Sequence, residues 1–153
     1  MVYRIYVEKK EGFRQDAEAL YKEASEILKI AGLTSVRLIN RYDAEDISRE
    51  LFDQAVKNVF SEPQVDDTFE ELTVDDAYVF AVEYLPGQFD QRADSAAQCI
   101  QLISAAPKPL IASARVYVLY GDLSDDDIQK IKHHRDQKLN TLFSGSFSSV
   151  ILC

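Results

Sequence analysis

The stretch YVFAVEYLPGQFDQRADSAAQCIQLI, Tyr78 to Ile103, decides the fold. An apolar run rich in Val, Tyr and Phe meets Pro86-Gly87, and apolar residues then recur at Phe89, Ala93, Ala96, Ala97, Ile100 and Ile103. The run from Tyr78 to Leu85, bounded by Pro-Gly, predicts a strand and a sharp turn, and the spacing beyond it predicts a helix from Phe89 to Ile103. The stripe Tyr78, Phe80, Val82 and Tyr84 is expected in the core. The polar side of the helix is unusual: Gln88, Asp90, Gln91, Arg92, Asp94, Gln98 and Gln101 include no lysine or glutamate, which a solvated helix would favour. Amides and short carboxylates are directional hydrogen-bonding groups, so the face suits a partner or ligand better than bulk water.

Outward from this stretch the chain alternates strands and helices. Residues 2–9, VYRIYVEK, place Tyr3, Ile5 and Val7 on one strand face, and Gly12 marks a turn. From Phe13 to Ala31 the set Phe13, Ala17, Leu20, Ala24, Ile27, Leu28 and Ala31 keeps helical spacing, with Gly32 placed for a left-handed C-cap. Val36 to Tyr42 reads as a second strand. After a cap region at Asp43 to Asp46, Ile47, Leu51, Phe52, Ala55, Val56, Val59 and Phe60 form a second amphipathic helix that Pro63 ends. Glu62 to Ala77 is acidic and weakly periodic, with a short edge strand expected around Thr68 to Leu72. Beyond the central stretch, Pro107 and Pro109 punctuate a loop, Ala114 to Tyr120 alternates as a strand, and Ser124, Asp127 and a Leu123–Ile128 staple predict a helix start.

A strand, long helix and strand with short joints read either as a βαβ crossover or as the opening of a ferredoxin-like sandwich, and two β-α-β-α runs suggest duplication. The fold expected is α+β, a duplicated ferredoxin-like sandwich with an antiparallel or mixed sheet and helices on one face. The expected divisions are a first unit at 1–62, an acidic joint at 63–77, a second unit at 78–134, and a divergent tail at 135–153. The tail, RDQKLNTLFSGSFSSVILC, has no place in the repeated plan.

At 153 residues the chain is about one domain, with the balance of a globular protein: 46% hydrophobic and 28% charged. Its formal net charge of −9 repels phosphate backbones and argues against nucleic-acid binding. No apolar run approaches the roughly 18 to 20 residues that span a bilayer, and the N-terminus leads straight into a strand pattern, so the expected compartment is the cytoplasm, away from membranes. Cys99 and Cys153 fit neither a metal-ligand spacing nor a disulfide framework.

The block FAVEYLPGQFDQRADSAAQCIQL, residues 80 to 102, with NRYDAEDIS at Asn40 to Ser48, VFSEPQVDD at Val59 to Asp67 and the VYRIYVEK start, resembles the N-terminal region of the large, single-chain phosphoribosylformylglycinamidine synthase family. The resemblance covers about residues 1 to 134. It implies a domain similar to a fused pair of the small dimeric subunit of the multi-subunit form, a structural and docking module of a purine-biosynthetic, glutamine-using, ATP-dependent ligase. The synthase domain that would hold ATP and Mg, and the glutaminase domain, lie farther along the family's chain. The resemblance therefore implies no cofactor in this fragment, no activity of the domain alone, and the synthase domain as partner. After Lys132-His133 the family pattern continues into a last strand, and this sequence departs from it. The tail then reads as a truncated, frameshifted or otherwise non-native ending, and either the second unit lacks its edge strand or the tail substitutes for it. A stand-alone ferredoxin-like module, binding a small molecule or forming a homodimer through an exposed sheet edge, is the alternative.

No catalytic set stands out. Cys99, beside Ala96 and Ile103, is expected on or near the buried side of its helix as a small hydrophobe. His133 and His134 diverge as neighbours and are expected solvated near a helix C-terminus. Asp90 and Asp94 share a face but lack a third acidic ligand, and Asp125 to Asp127 serve the helix start before any metal. Interface or substrate-path candidates are Pro86, Gly87, Gln88, Asp90, Gln91, Arg92, Asp94 and Gln98. Arg92 leads them, because a guanidinium among amides suits bidentate binding of a carboxylate.

Overall fold

The computed structural model describes residues 1–142 and 150–152. In chain order the elements are β1 (Tyr3–Lys9), α1 (Gln15–Lys22), β2 (Leu33–Glu45), α2 (Arg49–Ala55), β3 (Asp66–Phe69), β4 (Ala77–Glu83), α3 (Gln91–Ser104), β5 (Leu110–Gly121), α4 (Asp125–Leu142) and β6 (Val150–Leu152). The fold is α+β. Helix α1 continues into a π-turn at Glu23–Ile27 and α2 into one at Val56–Phe60. The strands form a sheet in the order β3-β1-β2-β5-β4-β6. Strand β1 runs antiparallel to β2 and β3, and β4 runs antiparallel to β6.

The chain condenses into two compact units, each drawn from three segments. The first takes Met1–Phe13, Ile39–Thr73 and Phe89–Arg115; the second takes Arg14–Leu38, Val74–Gln88 and Val116–Cys153. The runs 1–62 and 78–134 each carry one pass of the element order, and the compact units cut across them. The long strands β2 and β5, 13 and 12 residues, each pass from one unit to the other.

In the first unit, Ile5 faces Tyr42 and Val7 faces Asn40 across the β1–β2 ladder, so alternate residues share a face. Ile5, Val7, Tyr42 and Ala44 pack with Phe52, Ala55 and Phe60 from α2 and its π-turn, and with Ala96 and Ile100 from α3. Tyr42 stacks on Phe60 with centroids 4.7 Å apart, and Tyr3 on Phe52 at 5.2 Å. Such pairs contribute about 0.5–1.5 kcal/mol each beyond area burial. Helix α2 starts at Ser48, whose hydroxyl accepts the Leu51 N–H at 3.2 Å; the cap is this serine, not the Asp43 to Asp46 region. The acidic joint does supply an edge strand, two residues earlier than expected, with Val7 paired to Thr68.

In the second unit, Leu20 and Ala24 pack with Phe80 and Val82, Tyr117 and Leu119, and Ile128 and Ile131. Phe80 stacks on Tyr117 at 4.8 Å. From α4 the buried Lys132 sets its Nζ 5.3 Å from the Phe80 ring centre, and the Arg135 guanidinium lies 5.7 Å from that of Tyr117. The predicted start of α4 holds: Asp127 N–H donates to Ser124 Oγ at 3.2 Å and Ser124 N–H to Asp127 Oδ2 at 3.1 Å, a reciprocal capping box, with Leu123 and Ile128 buried in one cluster.

Gly32 is not the left-handed cap of α1. Lys29 takes the positive φ there, at 57°. What Gly32 provides is close approach: its carbonyl accepts Asp122 N–H at 3.1 Å, and a Cβ on it would lie 1.9 Å from Asp122 O. Gly121 mirrors it, at φ 132° and with its own virtual Cβ 2.1 Å from Gly32 O. The stripe expected in the core is half right: Phe80 and Val82 are buried, whereas Tyr78 is 41% exposed and donates its hydroxyl to Leu123 O. Strand β5 is buried on both faces from Val116 to Leu119, so the expected alternation does not hold there.

The tail expectation falls partly on residues 143–149 and 153, outside the described residues. Where it is described, α4 continues through Leu142 and β6 pairs with β4, Val150 opposite Val82 and Leu152 opposite Phe80. The tail thus supplies a strand at the edge of β4. No described helix is long and apolar enough to cross a membrane.

Candidate functional site

The turn before α3 is built by its own residues. Gln88 N–H donates to Leu85 O at 3.0 Å, Gln88 Oε1 accepts Leu85 N–H at 2.8 Å, and Gly87 has φ 88°. Proline followed by a positive-φ glycine is the chemistry of a type II turn. The turn after β1 matches it, with Phe13 N–H to Lys10 O at 3.0 Å and Gly12 at φ 90°. Pro86 and Gly87 therefore act as turn residues. Pro86 to Gln88 belong to the second unit and Asp90 to Gln98 to the first.

Asp90 is the N-cap of α3, accepting Ala93 N–H at 3.0 Å. Its carboxylate also accepts the Ser113 amide and hydroxyl, each at 2.8 Å, tying the helix start to β5. One turn on, Asp94 accepts from Gln98 at 2.8 Å and pairs with Lys108 Nζ at 2.7 Å. Both carboxylates are thus engaged in holding α3 in place. Arg92 donates to Asn40 Oδ1 on β2. The guanidinium is aimed by the sheet and exposed, which leaves further donors available. Gln91 and Gln98 are exposed beside it.

Beneath this surface lies Tyr42. Burial pushes its phenol up, Arg92 pulls it down, Asp66 and Asp90 push it further up, and Arg115 again opposes. Asn40, Tyr42, Ser113, Lys108 and Arg115 are the members that pattern reading missed. Asn40 and Tyr42 share the helix-facing parity of β2, which was the available signal; Ser113 becomes visible only through its contact with Asp90.

Several expectations are corrected. Cys99 is exposed, because α3 buries Ala93, Ala96, Ala97 and Ile100 and turns position 99 outward. Phe89 and Ile103, expected on the apolar face, are 72% and 48% exposed, and Leu102 is 84% exposed. His133 and His134 sit within α4, not near its end, since the helix runs on to Leu142. His134 Nε2 lies 3.2 Å from Glu23 Oε2 on the π-turn after α1.

With the elements placed, the two passes of the chain can be aligned. Tyr3, Val7, Glu8, Gly12, Phe13, Gln15 and Ala17 meet Tyr78, Val82, Glu83, Gly87, Phe89, Gln91 and Ala93; Ser35, Arg37, Tyr42 and Ser48 meet Ser113, Arg115, Tyr120 and Ser124. Ala17 and Ala93 are both buried, Phe13 and Phe89 both exposed, and Ser48 and Ser124 both cap helices. Arg37 donates to Tyr120 at 3.3 Å in the second unit, and Arg115 acts on Tyr42 in the first.

Comparison of the chain with protein-family models, with curated proteins and with solved structures found no match.

Proposed function

We propose that the chain is the N-terminal structural and docking domain of an ATP-dependent amidotransferase of the phosphoribosylformylglycinamidine synthase type, a cytoplasmic enzyme of purine biosynthesis, with no catalytic set of its own. The observation that carries this reading is the repeat. The aligned identities run through turn, helix, strand and cap, and the sheet order β3-β1-β2-β5-β4-β6 maps onto itself when the two passes are exchanged. That is what a fused pair of small subunits would give. Each compact unit holds four strand segments and two helices, the complement of a ferredoxin-like sandwich, which supports duplication with exchanged elements.

Docking falls to α3, whose capped start and aimed Arg92 would meet a carboxylate on the synthase domain. ATP, Mg and ammonia would be handled there and in the glutaminase domain. The test is to mix the chain with a synthase of this family from which the N-terminal region has been deleted. Restored glutamine- or ammonia-dependent turnover is expected; neither turnover nor binding by calorimetry would overturn the reading.

A further inference from the structure

We propose that α3 is a self-complementary face through which two copies of this chain pair about a two-fold axis. The repeat supplies the comparison. Helix α1 and its π-turn carry Asp16, Glu18, Lys22, Glu23 and Glu26, the charged pattern of a solvated helix. The aligned positions of α3 carry Arg92, Asp94, Gln98, Cys99 and Leu102. The buried positions Ala17, Leu20 and Ala24 meet buried Ala93, Ala96 and Ile100, and apart from Tyr21, which meets buried Ala97, the divergence lies on the outward side. There Glu23 and Glu26 have given way to Cys99 and Leu102 and Lys22 to Gln98, while Asp16 is matched by Arg92 and Glu18 by Asp94, and Leu102 is 84% exposed.

Charge and hydrogen-bonding symmetry choose the occupant. In a chain of net charge −9, two copies repel wherever carboxylates meet, and α3 is the helix where they do so least: Asp90 is held by Ser113, and Asp94 by Lys108 and Gln98. A two-fold axis sets each patch against itself, which carboxylates or ammonium groups resist. Amides accept it, since each both donates and accepts. Gln91, Ser95, Gln98 and Leu102 form one outward stripe at i, i+4, i+7 and i+11, with small Ser95 near its middle allowing close approach. A 14-residue helix is about 21 Å long, so the contact falls at the small end of specific interfaces and the dimer is reversible. The pairing is independent of the docking partner's identity, although a partner seated on α3 would compete with it.

Sedimentation equilibrium of the full chain, from low micromolar to near-millimolar concentration, tests this. The native protein is expected to pass from monomer to dimer. A Gln98→Lys, Leu102→Glu double variant, which restores the residues of α1 at two exposed positions, is expected to weaken the dimer at least about tenfold with an unchanged circular dichroism spectrum. In a Cys153→Ser background, a short bis-maleimide should link Cys99 to Cys99 in the native face and not in the double variant. A monomer throughout, assembly beyond a dimer, or a dimer untouched by the double variant would overturn the proposal. Failure of the synthase mixing experiment would leave it standing.

Discussion

Asp90 holds the start of α3 through three hydrogen bonds at once, and its loss should be felt twice. Asp90→Ala removes an N-cap, about 1 kcal/mol, and leaves the buried amide and hydroxyl of Ser113 without their acceptor, for a total of about 2 kcal/mol. Urea unfolding should show that loss, with Asp90→Asn keeping most of the stability because asparagine caps as well. Tyr42 makes a prediction of opposite kind. Its folded-state pKa is raised, chiefly by burial, so its contribution to stability is complete below the unfolded value of about 10 and lost as pH rises through the folded one. Stability should therefore fall on the alkaline side of pH 10, and Tyr42→Phe should flatten that limb while leaving neutral stability within about 1.5 kcal/mol. An equally steep limb in the variant would assign the loss to other groups. Of these two residues the sequence revealed only Asp90. Tyr42 reads as one apolar strand position among many until α3 brings Arg92 and Asp90 over it.

At the scale of elements, helices and turns were legible wherever chemistry is local. Pro86-Gly87 and the Ser124–Asp127 box each carry their own hydrogen bonds, so neighbours in sequence suffice to predict them. Helix ends at Lys22 and Ala55 were not, because a π-turn keeps nearly the same apolar spacing while changing the hydrogen-bond step. The strands β2 and β5 outran expectation because their outer residues, such as Thr34 and Leu110, are exposed and break the alternation. Strand β6 was least visible, since Val150 to Leu152 is a strand only because β4 offers it an edge. A chain ending at Leu142 should leave Phe80 to Val82 unpaired on that side. We expect lower urea stability, by about 1 kcal/mol per lost backbone hydrogen bond, and concentration-dependent light scattering. Unchanged stability and clear solutions would show that the tail's pairing contributes little.

For the whole molecule, composition and periodicity conveyed the class, the number of helices and the twofold pass of elements. They could not convey which segments condense together, because the apolar face of α1 says that it must be covered and nothing about whether Ile5 or Phe80 covers it. That choice lies in contacts far apart in sequence, and it explains why three separate segments form each unit. The same arrangement governs how the chain emerges from a ribosome. The first unit lacks its last segment until Arg115 has been made, and the second waits for the residues beyond Val116. Synthesis therefore offers no self-contained folded piece before those last segments appear: Leu20, Phe52 and Tyr42 must remain incompletely covered until then. Cells making this protein would have to shield a long nascent chain and then see both units close in quick succession once the residues beyond Val116 have been made.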